Sequence, residues 1–422
     1  MAAILFIVFL GLLVLGVPVA FSICSAAAVT IATGLGTKNL LMVIQRMFES
    51  CNSFSLTAVP FFILAGDLLS KGKISKLLVE FCESLLGMIR GGLSVVSVLA
   101  GMFFAAISGS GAATTAAVGG TLVPELKKRG YREDASAALI AAAGTIGVVI
   151  PPSVPMVLYA VIAEESVNNL FKAGFIPGFL MGGMLIAIAL VQAYRNHYPK
   201  GASFNIVNVL RTFLKAIPGI LMPLIILGGI FSGIFTPSEA AAVAVVYAVL
   251  VSAFVYRDLT LKSLFNIMLG SARTSAVIMI IIGCSGPFGW CLAKWKIPEA
   301  IAAAVLSVST NKYIILLLIS VIILIAGVFM ETSSAIILLT PVFLPLVRAL
   351  EISTLHFGVL FVVGIAIGMI TPPVAINLFV ASGITKLSLE KISRAVIPYL
   401  VGLIIVFLLI VYVPLIAPGL IL

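Results

Sequence analysis

Two prolyl-proline pairs lie inside long apolar stretches of this chain, and their surroundings match. Gly147-Val-Val-Ile-Pro151-Pro152-Ser153 recurs as Gly368-Met-Ile-Thr-Pro372-Pro373-Val374, 221 residues later. The same offset carries Pro124 onto Pro345, Ile146 onto Ile367, Ala160 onto Ala381 and Ile176-Pro177 onto Ile397-Pro398. Proline lacks a backbone donor and its ring clashes with the preceding helical turn, so each pair must interrupt a helix. In lipid a freed carbonyl finds no water, and a break survives at membrane depth only where protein encloses a cavity around it. A break made twice therefore points to one site assembled from two halves.

That the surroundings are lipid follows from composition. Of 422 residues, 62% are hydrophobic and 9% charged, with mean hydropathy +1.28, whereas soluble domains average about 25% charged residues. Apolar runs of roughly 20 residues recur along the length, each enough for a hydrocarbon core of about 30 Å. The short alternating strands of a membrane β-barrel are absent from the sequence. The expected fold class is an all-α polytopic membrane protein. The net charge of +10 reads as Lys and Arg gathered in cytoplasmic loops, with lipid and not nucleic acid as the neighbour. The N-terminus lacks the basic region of a signal peptide. The five cysteines show neither metal-type spacing nor a disulfide framework and read as packing residues.

The spans are predicted at 3–18, 20–36, 56–70, a hairpin at 92–127, then 135–163, 175–194, 216–235, 237–255, 274–292, a hairpin at 313–348, then 356–383 and 395–417. Residues 1–194 form a first repeat, 195–215 a cytoplasmic linker and 216–422 a second repeat. Lys71, Lys73, Lys76 and Arg90 before the first hairpin, and Lys127, Lys128, Arg129 and Arg132 after it, put its base in the cytoplasm. Lys312, Arg348, Glu351 and His356 give the second base no such bias, and it should face outward. With five full spans per half, the second copy is inserted upside down, an inverted-topology repeat with two re-entrant hairpins and two broken helices. Between Lys73 and Arg90, Ile74, Leu77, Leu78, Phe81, Leu85 and Ile89 fall at helical spacing. They predict an amphipathic helix along the membrane surface, with Ile297 to Val308 as a weaker counterpart.

Ser108-Gly109-Ser110-Gly111 sits midway in the first hairpin, where glycine permits a tight bend and hydroxyls replace lost backbone partners. Met330-Glu331-Thr332-Ser333-Ser334 is its counterpart. Hydroxyls and freed carbonyls are hard, neutral oxygens that suit Na⁺. The first candidate set is Ser108, Ser110, Gly147 and the carbonyls of Ile150 and Pro152; the second is Thr332, Ser333, Gly368, Thr371 and Pro373. Half-helices beginning near Ser153, Val374, Ala112 and Ser334 should turn positive ends to the cavity, where an anion is attracted. Ser153, Gly111, Ser334 and Asn377 are the substrate candidates. Asp67, Glu239 and Glu331 are the acidic residues worth naming at depth, with Glu331 either near a cation or structural. Enzymatic readings do poorly: Gly109-Ser110-Gly111 suggests a serine nucleophile, but His197 and His356 offer it no base. No phosphate loop with lysine is present to use ATP.

Ser108-Gly-Ser-Gly, Gly144-Thr-Ile-Gly147 with Pro151-Pro152-Ser153, and Gly368-Met-Ile-Thr-Pro372-Pro373-Val374 with Asn377-Leu378-Phe379-Val380 resemble the large membrane subunit (DctM/SiaM type) of tripartite ATP-independent periplasmic transporters. The likeness covers essentially the whole chain. It implies an ion-transporter-superfamily fold in the bacterial inner membrane, with a transport domain carrying hairpins and broken helices and a scaffold of the remaining spans. It further implies an elevator motion driven by Na⁺ at two or more sites. The implied partners are a small four-helix membrane subunit on a separate chain and a periplasmic binding protein delivering an organic acid, such as sialic acid or a C4-dicarboxylate. An autonomous transporter needing no binding protein is the alternative.

Overall fold

The computed structural model describes residues 1–70, 72–201, 203–308 and 311–416; the last residue of the span expected at 395–417, and the rest of the second repeat after it, lie outside them. Among the described residues there are α-helices and no strands. Four helices open the chain: α1 (Ala2–Val14), α2 (Val19–Leu35), α3 (Leu41–Cys51) and α4 (Ala58–Ser70). Next come α5 (Ile74–Leu86), the hairpin α6 (Gly92–Ser108) and α7 (Gly111–Lys128), the broken pair α8 (Glu133–Thr145) and α9 (Val154–Ala163), and α10 (Val167–Arg195). After a polar loop follow α11 (Ile206–Phe231), α12 (Pro237–Leu250) and α13 (Leu261–Lys294). The second set is α14 (Ile297–Val308), the hairpin α15 (Lys312–Phe329) and α16 (Thr332–Ala349), the broken pair α17 (Thr354–Gly368) and α18 (Ile376–Thr385), and α19 (Leu389–Ile416).

The spacing of the proline pairs is also the spacing of the elements. Shifted by the same offset, the start of α7 falls on the start of α16, its end on the end of α16, and the start of α8 on that of α17. Both proline pairs interrupt helices, and both Pro-Pro bonds are cis. Among the described residues, seven helices are long and apolar enough to cross a membrane singly. The multi-pass membrane fold and the doubled hairpin-and-break order expected from the sequence are therefore present.

Burial identifies the centre. In α8 every residue from Ser136 to Thr145 is buried, and in α17 every residue from His356 to Gly368. A helix apolar on all sides must be surrounded by other helices. Here α8 packs on α6, α7, α18 and α19, and α17 on α10, α15, α16 and α19. Around this nucleus lie α4, α12 and α13, of which α4 touches α6 and α9 while α13 touches α16.

Among the boundaries that differ from the sequence reading, three have a cause in the local sequence. Helix α3 falls in a stretch assigned no element, because Arg46 and Glu49 interrupt its apolar pattern. It docks on α13 through Ser50 Oγ, which donates to the Gly283 carbonyl at 3.3 Å, and through Arg46 over the Trp290 ring. The linker is shorter than 195–215, since Asn205 caps α11 by accepting from the Val207 and Asn208 amides. Arg211 and Lys215 thus sit on a helix that begins in the polar segment. Helix α13 runs 34 residues, about 50 Å, well beyond the predicted 274–292; its polar first turns, with Lys262, Asn266 and Arg273, hid its start.

Candidate functional site

The two tips and the two breaks meet. A cavity of about 280 Å³ is lined by Ser108 to Ala113 from the first tip, Val154 and Pro155 beyond the first break, Glu331 to Ser333 from the second tip, and Met369 and Ile376 from the second break. Its remaining wall is α4, with Asp67, and α13, with Thr274. Sequence reasoning brought the repeated halves together but did not include that wall.

At the first tip the chain turns at Gly109, whose φ of +59° lies in the region glycine adopts without strain. Ser108 Oγ lies 2.8 Å from Thr114 Oγ1 and donates to the Ser110 carbonyl at 3.2 Å. Ser110 caps α7, its hydroxyl accepting from the Ala113 amide. The first break is pressed against this tip: a Cβ on Gly147 would lie 2.6 Å from Thr114 Oγ1 and 2.7 Å from the Ser110 carbonyl, and one on Gly109 would lie 2.8 Å from the Pro152 carbonyl. Ser108, Ser110, Gly147 and Pro152 are thus gathered as expected, and Thr114 joins them. The Ile150 side chain packs near Gly178, leaving its carbonyl as the one group it could offer. Thr114 was within reach of sequence reasoning, since it lies one helical turn past Ser110.

The second set is less compact. Thr332 and Ser333 line the cavity, and Gly368 packs tightly against the backbone of Gly327 in α15. Thr371 Oγ1, however, donates to Ile367 within its own turn, and Pro373 is exposed. The substrate candidates divide similarly. Gly111 lines the cavity. Ser153 is fully buried, donating to the Val148 carbonyl at 2.6 Å and capping α9. Ser334 lies one residue past the cavity lining, its amide held by Glu331. Asn377 is fully buried behind the wall: its Nδ2 donates to the Ala141 carbonyl, while its Oδ1 has no donor. In the second copy the half-helices start within two residues of the expected positions, at Thr332 and at Ile376. The latter is preceded by Ala375 with φ +49° and no side-chain cap.

The sequence as a whole matches the family model described as tripartite ATP-independent periplasmic transporter, DctM component, over residues 6–416. The chain is a member of the DctM family. It is 41% identical over 415 residues to the isethionate TRAP transporter permease protein DctMQ of Oleidesulfovibrio alaskensis, covering 97% of this chain and 65% of that one. It is 40% identical to the C4-dicarboxylate TRAP transporter large permease protein DctM of Pseudomonas aeruginosa, covering 87% of this chain and 86% of that one. Among solved structures, the Alcanivorax borkumensis YdaH transporter shares the fold, with a TM-score of 0.63 at 14% identity over 92% of this chain and 90% of that one. The relatives are permeases, not enzymes.

In this DctM permease Glu331, Asp67 and Glu239 have separate duties. Glu331 caps α16, its carboxylate accepting from the Ser333 and Ser334 amides at 2.8 and 3.2 Å. It stands at the repeat position of Ser110, so a charged cap in one copy replaces a neutral one in the other. Asp67 accepts from Ser271 Oγ at 2.7 Å, tying α4 to α13 at the cavity wall. Glu239 forms a capping box with Thr236 at the start of α12, away from the cavity. Replacing Glu331 with alanine should lower stability by about 1 kcal/mol through loss of the cap; a detergent-solubilised thermal melt checks this, and an unchanged midpoint would contradict it.

Proposed function

We propose that this DctM permease carries an organic acid inward together with Na⁺, by moving its hairpins and broken helices as one body past α4 and α13. The observation that carries the reading is the single cavity in which both tips, both breaks and the α4–α13 wall converge. Three capped helices start at or beside it, at Gly111, Val154 and Thr332, and helix N-termini favour anions. Among the described residues, the carboxylates on its lining are Asp67 and Glu331, and both are already hydrogen-bonded. The names of two relatives, for isethionate and for C4-dicarboxylates, support an organic anion as substrate, and we favour a carboxylate.

The oxygens gathered at the first tip support a Na⁺ site there, with Ser108, Ser110 and Gly147 as its core and Thr114 added. We place a second site among Thr332, Ser333, Gly368 and Thr371. A neutral oxygen set that binds Na⁺ would put positive charge beside the anion, so each would raise the affinity of the other, and by linkage the effect is reciprocal. The proposed partners are a small membrane subunit on a separate chain, consistent with a relative named as a large permease that this chain covers over most of its length, and a periplasmic binding protein.

Liposomes holding the permease and its small subunit test this. With an inward Na⁺ gradient and loaded binding protein, labelled C4-dicarboxylate should accumulate; with choline replacing Na⁺ it should not. Uptake of equal rate without binding protein would favour the autonomous alternative, and uptake indifferent to Na⁺ would overturn the coupling. Ser110→Ala should weaken the Na⁺ response several-fold while leaving the fold intact, since only one cap hydrogen bond is lost. An unchanged Na⁺ dependence would remove Ser110 from the set.

A further inference from the structure

A second polar cavity, about 380 Å³, opens where α8 and α19 begin and α10 ends, and it is lined by Arg132, Arg195, Arg394, Gln192 and Asn196 with no carboxylate. These helix ends lie on the side that the Lys and Arg distribution assigns to the cytoplasm. Every polar side chain on the lining can donate. Arg195 makes no ion pair among the described residues. Arg394 spends one donor on Glu390, and Arg132 two on Asp134, out of five on each guanidinium. The pairs of Arg132 and Arg394 are exposed on the arginine side, where ion pairs hold weakly. Tyr399 Oη donates to Gln192 Oε1 at 2.9 Å, which leaves the Gln192 amide nitrogen as its free group. Three guanidiniums with surplus donors and a carboxamide make a site for a phosphate.

The surroundings decide what carries that phosphate. From Arg195 an exposed row runs along α10 through Val191, Ala187 and Gly183 at one-turn spacing. From Arg394 a second exposed row runs along α19 through Ile397, Val401 and Ile405. The two helices are packed together, with Gly402 against Ile188 and Met184, so the rows flank one seam that leads from the cavity into the apolar zone. Small side chains on the α10 side leave room for an acyl chain. A soluble anion would need the basic cavity alone; a lipid uses both cavity and seam.

We propose that this cavity is a binding site for an anionic phospholipid, with the headgroup phosphate held by Arg195, Arg394 and Arg132 and the acyl chains along the α10–α19 seam. Basic pockets between spans on the cytoplasmic side have the chemistry such lipids require. The site is independent of the transport cavity.

The test is native mass spectrometry of the full chain, with whatever subunits accompany it, after exchange into phosphatidylcholine nanodiscs doped with phosphatidylglycerol. The wild type should retain phosphatidylglycerol over phosphatidylcholine. The R195Q/R394Q pair should retain one phosphatidylglycerol fewer, with affinity for it reduced roughly thirtyfold. The R195K/R394K pair, which keeps the charge, should retain most of it. Equal retention in the glutamine pair, or equal loss of both lipids, would overturn the proposal. Should the glutamine pair fail to assemble, the wild type carries the test: inorganic phosphate at millimolar concentration should not displace the lipid, and full displacement would mean a soluble-anion site and sink it.

Discussion

Gly368→Ala is expected to abolish transport and to lower the thermal stability of the protein. An alanine Cβ there would overlap the backbone of Gly327, meeting its Cα and carbonyl carbon. Neither atom belongs to a flexible side chain, so α15 and α17 would have to separate. Overpacking in a filled core costs about 1–3 kcal/mol even where side chains can adjust, and here none can. Gly327→Ala should behave the same way, because its Cβ would lie 3.1 Å from Gly368 Cα and 2.9 Å from the Ile365 carbonyl oxygen. Gly120→Ala is the control. Nothing lies within 4 Å of its added Cβ, and alanine favours a helix over glycine by up to about 1 kcal/mol. It should melt no lower than the wild type and transport normally. Uptake in liposomes and thermal melts read all three; a Gly368→Ala protein with wild-type uptake would contradict the packing described here.

Gly147→Ala should have the second-largest effect, and one of a different kind. Its Cβ would push on Thr114 Oγ1 at 2.6 Å and on the Ser110 carbonyl at 2.7 Å. The first tip would therefore be displaced from the first break without disturbing the rest of the core. If those oxygens hold Na⁺, the concentration of Na⁺ for half-maximal uptake should rise more than tenfold, while the melting midpoint measured without Na⁺ falls by less than in Gly368→Ala. A large loss of stability with unchanged Na⁺ dependence would mean that Gly147 serves packing alone.

The doubled architecture was legible because proline and glycine constrain the backbone directly. Pro151-Pro152 and Pro372-Pro373 marked both breaks, and Ser108-Gly-Ser-Gly marked a hairpin whose turn lies at Gly109. Element boundaries were hardest where charge interrupts apolar runs: α3 carries Arg46 and Glu49, α11 carries Arg211 and Lys215, and α13 carries Lys262 and Arg273. The site was legible only in part. Chain-local oxygens such as Ser108 and Ser110 were found from their own motif, whereas Asp67 and Thr274 reach the cavity through packing of α4 and α13, which no local pattern encodes. Symmetry also misled at the second break, where Pro373 is exposed although its counterpart Pro152 is buried. Repeats share a backbone plan, but the two copies face different neighbours, and burial follows the neighbours.

The cavity as the meeting place of anion and cation is tested most directly by protection at its wall. A single cysteine in place of Ala113, which lines the cavity at the start of α7, is introduced after the five native cysteines are replaced by serine. Labelling of the assembled complex by a small water-soluble maleimide should slow several-fold when substrate and Na⁺ are both present, and much less with either alone. Labelling that proceeds at one rate under all four conditions would contradict the account.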